Sequence, residues 1–167
     1  GYFEIWDGKP VCREIIDGRL SPGDSIRESL KLCFKYNCTL VCVESNAYQY
    51  SHLYWFNFIC TQLGIVGINC VDIYSGQMSK NSRILGMFKQ LLAGEIYLTQ
   101  AVRPAVFSQI TSFNYLKTNN TDGVLDLLTY SPKVIELYGE YIVAGLTINV
   151  QEFGALPVRS EAETSPF

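Results

Sequence analysis

The run Thr39-Leu40-Val41-Cys42-Val43 constrains this chain more than any other segment. It is short, continuous, apolar and rich in β-branched residues. Such a run suits a strand buried on both faces, the usual state of a central parallel strand. Helical patterns flank it. Upstream, Ile26, Leu30, Cys33 and Phe34 form one apolar stripe, Ser25-x-x-Glu28 reads as a capping box, and the helix should end near Asn37. Downstream, Ser45-Asn46 starts a second helix over 47–63, rich in rings (Tyr48, Tyr50, Tyr54, Trp55, Phe56, Phe58), which Gly64 ends. Core packing is the default reading of those rings; base stacking is the alternative for one or two.

The same alternation extends in both directions. Tyr2 to Trp6 and Val11 to Ile16 read as two strands of a hairpin turning at Asp7-Gly8. Ile68 to Tyr74 is a further strand. A third helix follows Ser79-Lys80-Asn81-Ser82-Arg83, with Ile84, Leu85, Phe88, Leu91 and Leu92 on one face, and Gly94 stops it. Ile96-Tyr97-Leu98 is a short strand. Pro104 suits the first turn of a fourth helix, on which Val106, Ile110 and Phe113 align. Leu116 to Thr121 is a polar connector. A last helix begins near Asp122, turns Val124, Leu125 and Leu128 inward, and is restarted or kinked at Pro132. The fold class is α/β, as one domain over 1–150 with a loosely ordered tail over 151–167.

Composition narrows the classes of function. With 167 residues, 48% hydrophobic and 17% charged, the chain can bury a good core. A net charge of −3 argues against a purely electrostatic DNA-binding protein. No apolar run is long enough to span a bilayer, and the start lacks the basic and apolar regions of a signal peptide. The six cysteines sit within strand and helix patterns without a Cys-x-x-Cys pair, which favours reduced core thiols in the cytoplasm. His52, the single histidine, has no cysteine at ligand spacing, so a zinc site is not expected. No phosphate-binding Gly-x-x-x-x-Gly-Lys-Ser/Thr loop occurs.

The acidic residues carry the chemistry. Asp122 and Asp126 lie four apart at a helix start and so share a face, behind a turn-rich lead-in. Glu44 ends the central strand. Oxygen ligands of this kind suit a hard divalent cation, Mg²⁺ or Mn²⁺. The plainer reading is electrostatic: acids favour a helix N-terminus, and Glu44 is a solvated strand-end charge. Lys80 and Arg83, at the start of the third helix, are candidates for backbone phosphates, with ordinary solvated charges as the alternative; Lys117 and Lys133 are weaker ones.

Three segments in order resemble the nuclease domain of the large terminase subunit of tailed bacteriophages. Val41-Cys42-Val43-Glu44-Ser45-Asn46-Ala47 is similar to that family's strand ending in V-E-x-N. Ser79-Lys80-Asn81-Ser82-Arg83-Ile84 with Gly94-Glu95-Ile96 is similar to its S-K-x-x-R-I … G-x-I segment. Asn120-Thr121-Asp122-Gly123-Val124-Leu125-Asp126 is similar to its D-D-x-x-D-A helix start. The resemblance implies a ribonuclease H-like mixed sheet with helices on both faces. It also implies a Mg²⁺- or Mn²⁺-dependent endodeoxyribonuclease that cuts concatemeric viral DNA during packaging. Glu44, Asp122 and Asp126 would be its metal-binding, catalytic acids, and Lys80 and Arg83 its DNA contacts. The implied partners are double-stranded DNA, an ATPase motor domain of the same subunit, the small terminase subunit and the portal protein, in the cytoplasm of a bacterial host.

The chain departs from the family pattern twice. Gly123 stands where the family has the second acid of D-D. The family's first catalytic Asp lies on a strand before the opening hairpin, whereas Asp7 and Asp17 fall at the hairpin tip and after it. The expectation is a fragment lacking the first strand and one metal ligand, with weak or absent activity in isolation. A non-catalytic DNA- or portal-docking module, and a ribonuclease H-like transposase, integrase or resolvase, are the alternatives.

Overall fold

Asp7 and Gly8 both take positive φ, 51° and 69°, the conformation that a tight two-residue hairpin turn demands. They join β1 (Tyr2–Trp6) to β2 (Lys9–Glu14) in antiparallel register, with Trp6 opposite Lys9. The computed structural model describes residues 1–44, 50–74 and 76–144. The Ser45-Asn46 helix start, the V-E-x-N match beyond Glu44 and the tail over 151–167 lie outside them.

The remaining elements are α1 (Pro22–Tyr36), β3 (Leu40–Glu44), α2 (Tyr50–Gln62), β4 (Asn69–Ile73), α3 (Lys80–Leu92), β5 (Tyr97–Leu98), α4 (Arg103–Ser112), α5 (Gly123–Thr129) and α6 (Ser131–Ala144). Helix α1 starts four residues before the expected capping box. Ser21 is its N-cap, accepting from the Asp24 amide at 3.1 Å, and Pro22 occupies the first turn where no N–H is needed. Ile26, Leu30 and Cys33 are buried as the stripe required, but Phe34 is 65% exposed and Leu32 takes its place inside. On α3 the buried pair is Ile84 and Met87, while Leu92 is 91% exposed.

Among the described residues the strands form two sheets rather than one. Strands β1, β2 and β5 make a mixed sheet in that order, with β5 parallel to β2; β3 and β4 pair in parallel. Each sheet has its own core. Cys12, Ile84, Val106, Val124, Leu125 and Leu128 pack beneath the first, contributed largely by α3, α4 and α5. Ile26, Leu30, Phe56, Cys60 and Cys70 pack beneath the second, between α1, α2 and β4. The architecture is mixed α/β.

A cleft of about 430 Å³ separates the sheets. Tyr2 to Ile5 of β1 and Leu40, Val41, Cys42 and Glu44 of β3 line it, with Cys33 of α1 and Val134 and Ile135 of α6. This explains a departure from expectation. The apolar sequence of β3 suits a central strand, yet all five of its residues are only half-buried. Among the described residues β4 is its sole strand neighbour, and its other side borders the cleft. All six cysteines are free. Among the described residues no helix is long and apolar enough to cross a membrane.

Candidate functional site

The starts of α3 and α5 meet beside the end of β3. Lys80, Asn81 and Arg83 join them, while Ser79 and Ser82 serve the start of α3 itself. Ser79 caps α3, its Oγ accepting from the Ser82 amide at 3.2 Å. Asn81 Nδ2 donates to the carbonyls of Tyr115 and Lys117 at 2.7 and 2.9 Å, which pins the connector leading to α5. Asn120 fixes the same connector from within, accepting from the Asn114 amide at 3.0 Å and donating to the Asn114 carbonyl at 2.9 Å.

Lys80 and Arg83 face the acids. Lys80 Nζ lies 2.6 Å from Asp122 Oδ1 and 3.6 Å from Asp126 Oδ2. Arg83 Nη2 donates to Asp126 Oδ1 at 2.8 Å and to the Tyr130 hydroxyl at 3.2 Å, and its guanidinium lies 5.4 Å from the Tyr130 ring centre. The two basic residues differ in burial: the Lys80 side chain is 44% exposed and that of Arg83 only 15%. Lys80 can therefore turn toward a ligand in solvent, whereas Arg83 is committed to Asp126. The buried Arg83 Nε has no hydrogen-bond partner among the described residues.

Glu44 lines the same cleft as Tyr130 and Asp126. Burial raises the Tyr130 hydroxyl above its ordinary value, and a hydrogen bond to Glu44 together with the charges of Asp126 and Glu44 adds to the rise; Arg83 opposes it. Burial works against the charge on Arg83, but Asp126 outweighs it by hydrogen bond and charge, with Tyr130 and Glu44 assisting, so its basicity rises. Asp122 and Asp126 thus belong to one chain of contacts, Tyr130 to Arg83, Arg83 to Asp126, Asp126 to Lys80 and Lys80 to Asp122, and Glu44, distant from both in sequence, lines the same cleft as Tyr130 and Asp126.

The donor set fits a hard cation in part. Asp122 and Asp126 turn carboxylate oxygens toward the Lys80 ammonium, at 2.6 and 3.6 Å, and are the residues that would hold a cation in its place. Glu44 lies on the wall of the same cleft as Asp126. Among the described residues no group of three or more His, Cys, Asp or Glu side chains is close enough to hold a metal ion.

Three residues of the site gave little sign in the sequence. Tyr130 follows Asp126 by four, so helical spacing places it on the acid face. Gln109 lies on the buried stripe with Val106 and is 7% exposed; a polar residue on an apolar face requires internal partners. Its Oε1 accepts from the amides of Val124 at 2.9 Å and Leu125 at 3.4 Å, and its Nε2 donates to Asp17 Oδ2 at 3.1 Å. Asp17, remote from the acids in sequence, therefore sits beside the start of α5. A Cβ on Gly123 would lie 3.8 Å from Asp17 Oδ1. No known protein-family model, curated protein or solved structure matches the chain.

Proposed function

We propose that this chain is a ribonuclease H-like, metal-dependent DNA endonuclease domain of the kind found in phage terminase large subunits. The observation that carries the reading is that Glu44, from the end of a parallel strand, lines one cleft with Asp126, which shares Lys80 with Asp122 at a helix start. The cleft adds support. A ribonuclease H-like sheet would have a further strand between β1 and β3, and the apolar gap lies between those two strands.

In this reading Asp122 and Asp126 hold Mg²⁺ or Mn²⁺, with Glu44 at the neighbouring position. When bound, the cation supplies charge neutralisation and Lewis acidity for in-line displacement at phosphorus. Arg83 orients Asp126 by its hydrogen bond. Lys80, half in solvent, exchanges a carboxylate for a DNA phosphate. By family resemblance the substrate is concatemeric double-stranded DNA, and the partners are the motor domain, small subunit and portal.

A second reading, a non-catalytic DNA- or portal-docking module, is favoured by one observation: both aspartates already have cationic partners, Lys80 and Arg83. Incubation with supercoiled plasmid in Mn²⁺, of the chain extended by a strand that restores the family's first acid, separates the two. The nuclease reading expects nicking that falls about 10- to 100-fold in Asp122→Asn and in Glu44→Gln, in line with the loss of a ligand-orienting or ligating group. Nicking that proceeds equally in chelator overturns it. Retention of plasmid without any metal-dependent cutting supports the docking module instead.

A further inference from the structure

An Asp immediately before a helix is among the strongest N-caps, because its carboxylate turns back onto the amides of the second and third helical residues. Asp122 stands at that position of α5 and does not do this. The amides it would cap, those of Val124 and Leu125, are taken by Gln109 Oε1 at 2.9 and 3.4 Å. Gln109 arrives from α4, a different helix. Its amide orientation is fixed at both ends: two N–H donors face its oxygen, and the Asp17 carboxylate faces its nitrogen at 3.1 Å. Reversing the amide would set donor against donor and acceptor against acceptor. The Asp122 carboxylate, 6% exposed, is left to meet Lys80 at 2.6 Å.

We propose that Gln109 is a positioning residue: by capping α5 from the neighbouring helix, with Asp17 fixing its orientation, it releases Asp122 from capping and holds its carboxylate toward Lys80 and Asp126. As a contribution to metal binding the inference rests on the nuclease reading above. As a statement about where Asp122 points it does not. In Gln109→Ala the amides of Val124 and Leu125 lose their acceptor, and Asp122 turns back to satisfy them. Lys80 then keeps only the longer contact with Asp126.

The test reads Lys80 directly. The protein is acylated with a small active ester under native conditions, and the rate at Lys80 is followed by mass spectrometry. Gln109→Ala raises that rate at least about threefold, since the close charged contact is lost and a weaker one remains. The double variant Gln109→Glu with Asp17→Asn restores the parental rate, because a carboxylate at 109 still accepts from α5 and an amide at 17 now donates to it. Gln109→Asn, one methylene too short to reach α5, replaces the alanine variant if the latter does not fold. An unchanged Lys80 rate in a folded Gln109 variant overturns the proposal, as does failure of the double variant to restore it. Mn²⁺ binding, followed on the same proteins by electron paramagnetic resonance of the free ion, is a separate arm. Altered Lys80 reactivity without Mn²⁺ binding in any of them retains the positioning role and removes the nuclease reading.

Discussion

Replacing Arg83 by Met removes a guanidinium from a nearly closed site while keeping most of the stem that fills it. The hydrogen bond to Asp126 at 2.8 Å is charged at both ends and contributes about 1.5–3 kcal/mol. The bond to Tyr130 at 3.2 Å adds about 0.5–1.5 kcal/mol. The ring contact at 5.4 Å adds about 0.5–1 kcal/mol. Against these stands relief of the unpartnered Nε, a buried donor whose cost is about 1–3 kcal/mol. The net loss is about 2 kcal/mol, and little is discounted for solvent because Arg83 and Asp126 are only 15% and 16% exposed. In urea this moves the midpoint down by about 1 M at a slope of about 2 kcal/mol per molar. A cycle with Asp126→Asn isolates the pair and should return a coupling of at least about 1 kcal/mol. A single variant as stable as the parent, or a coupling of zero, would refute the account of this network. The variant also reports on the cation: Mn²⁺ at about a hundred times its dissociation constant should restore about 2.7 kcal/mol if Asp122 and Asp126 hold it.

Four further outcomes follow from the geometry. Leu125 is fully buried in the first core, so Leu125→Ala should cost about 2–5 kcal/mol in urea unfolding. Gly123 has no positive φ and its nearest obstacle to a Cβ is 3.8 Å away, so Gly123→Ala should stabilise by about 0.4–1 kcal/mol; a loss would show that the start of α5 needs glycine. Tyr2 is pushed up to about 12, first by burial and then by the charge of Glu4, and Tyr130 is also raised. Both keep the neutral hydroxyl in the folded state longer than in the unfolded chain, so their stabilisation is complete below pH 10 and declines above it. The urea midpoint should fall over that range, and less steeply in Tyr130→Phe. Cys38 is lowered by a hydrogen bond from Cys33, while burial pushes Cys12, Cys42 and Cys70 up to about 12. At neutral pH iodoacetamide should therefore modify Cys38 first, as peptide mapping would show.

The elements were legible where one local signal dominated. The Asp7-Gly8 turn, the restart at Pro132 and the stops at Gly64 and Gly94 were set by backbone preference alone; both glycines take positive φ. The Val124, Leu125 and Leu128 face followed from helical period, and all three are buried. The start of α1 was misread because two capping candidates compete, Ser21 with Pro22 and Ser25 with Glu28, and the earlier one wins. Phe34 and Leu92 were misjudged because period says which side chains share a face but not how far the neighbouring element extends over it. At the site, the spacing of Asp122 and Asp126 was visible, but their partners were not. Lys80 and Arg83 read as surface cations because nothing local shows that α3 starts against α5. Gln109 and Asp17 are separated by 92 positions, and only the fold brings them together.

Among the described residues β1 and β3 each pair with a strand on one side only, which has a consequence for handling this polypeptide. A row of unpaired main-chain groups on an apolar border is a template on which another molecule can build. From Leu40 to Val43 that border carries no charge and no proline to discourage it. Concentrated solutions should therefore become polydisperse and scatter light in proportion to protein added. A lysine in place of Val41 should keep them clear, at the expense of the second core against which Val41 packs.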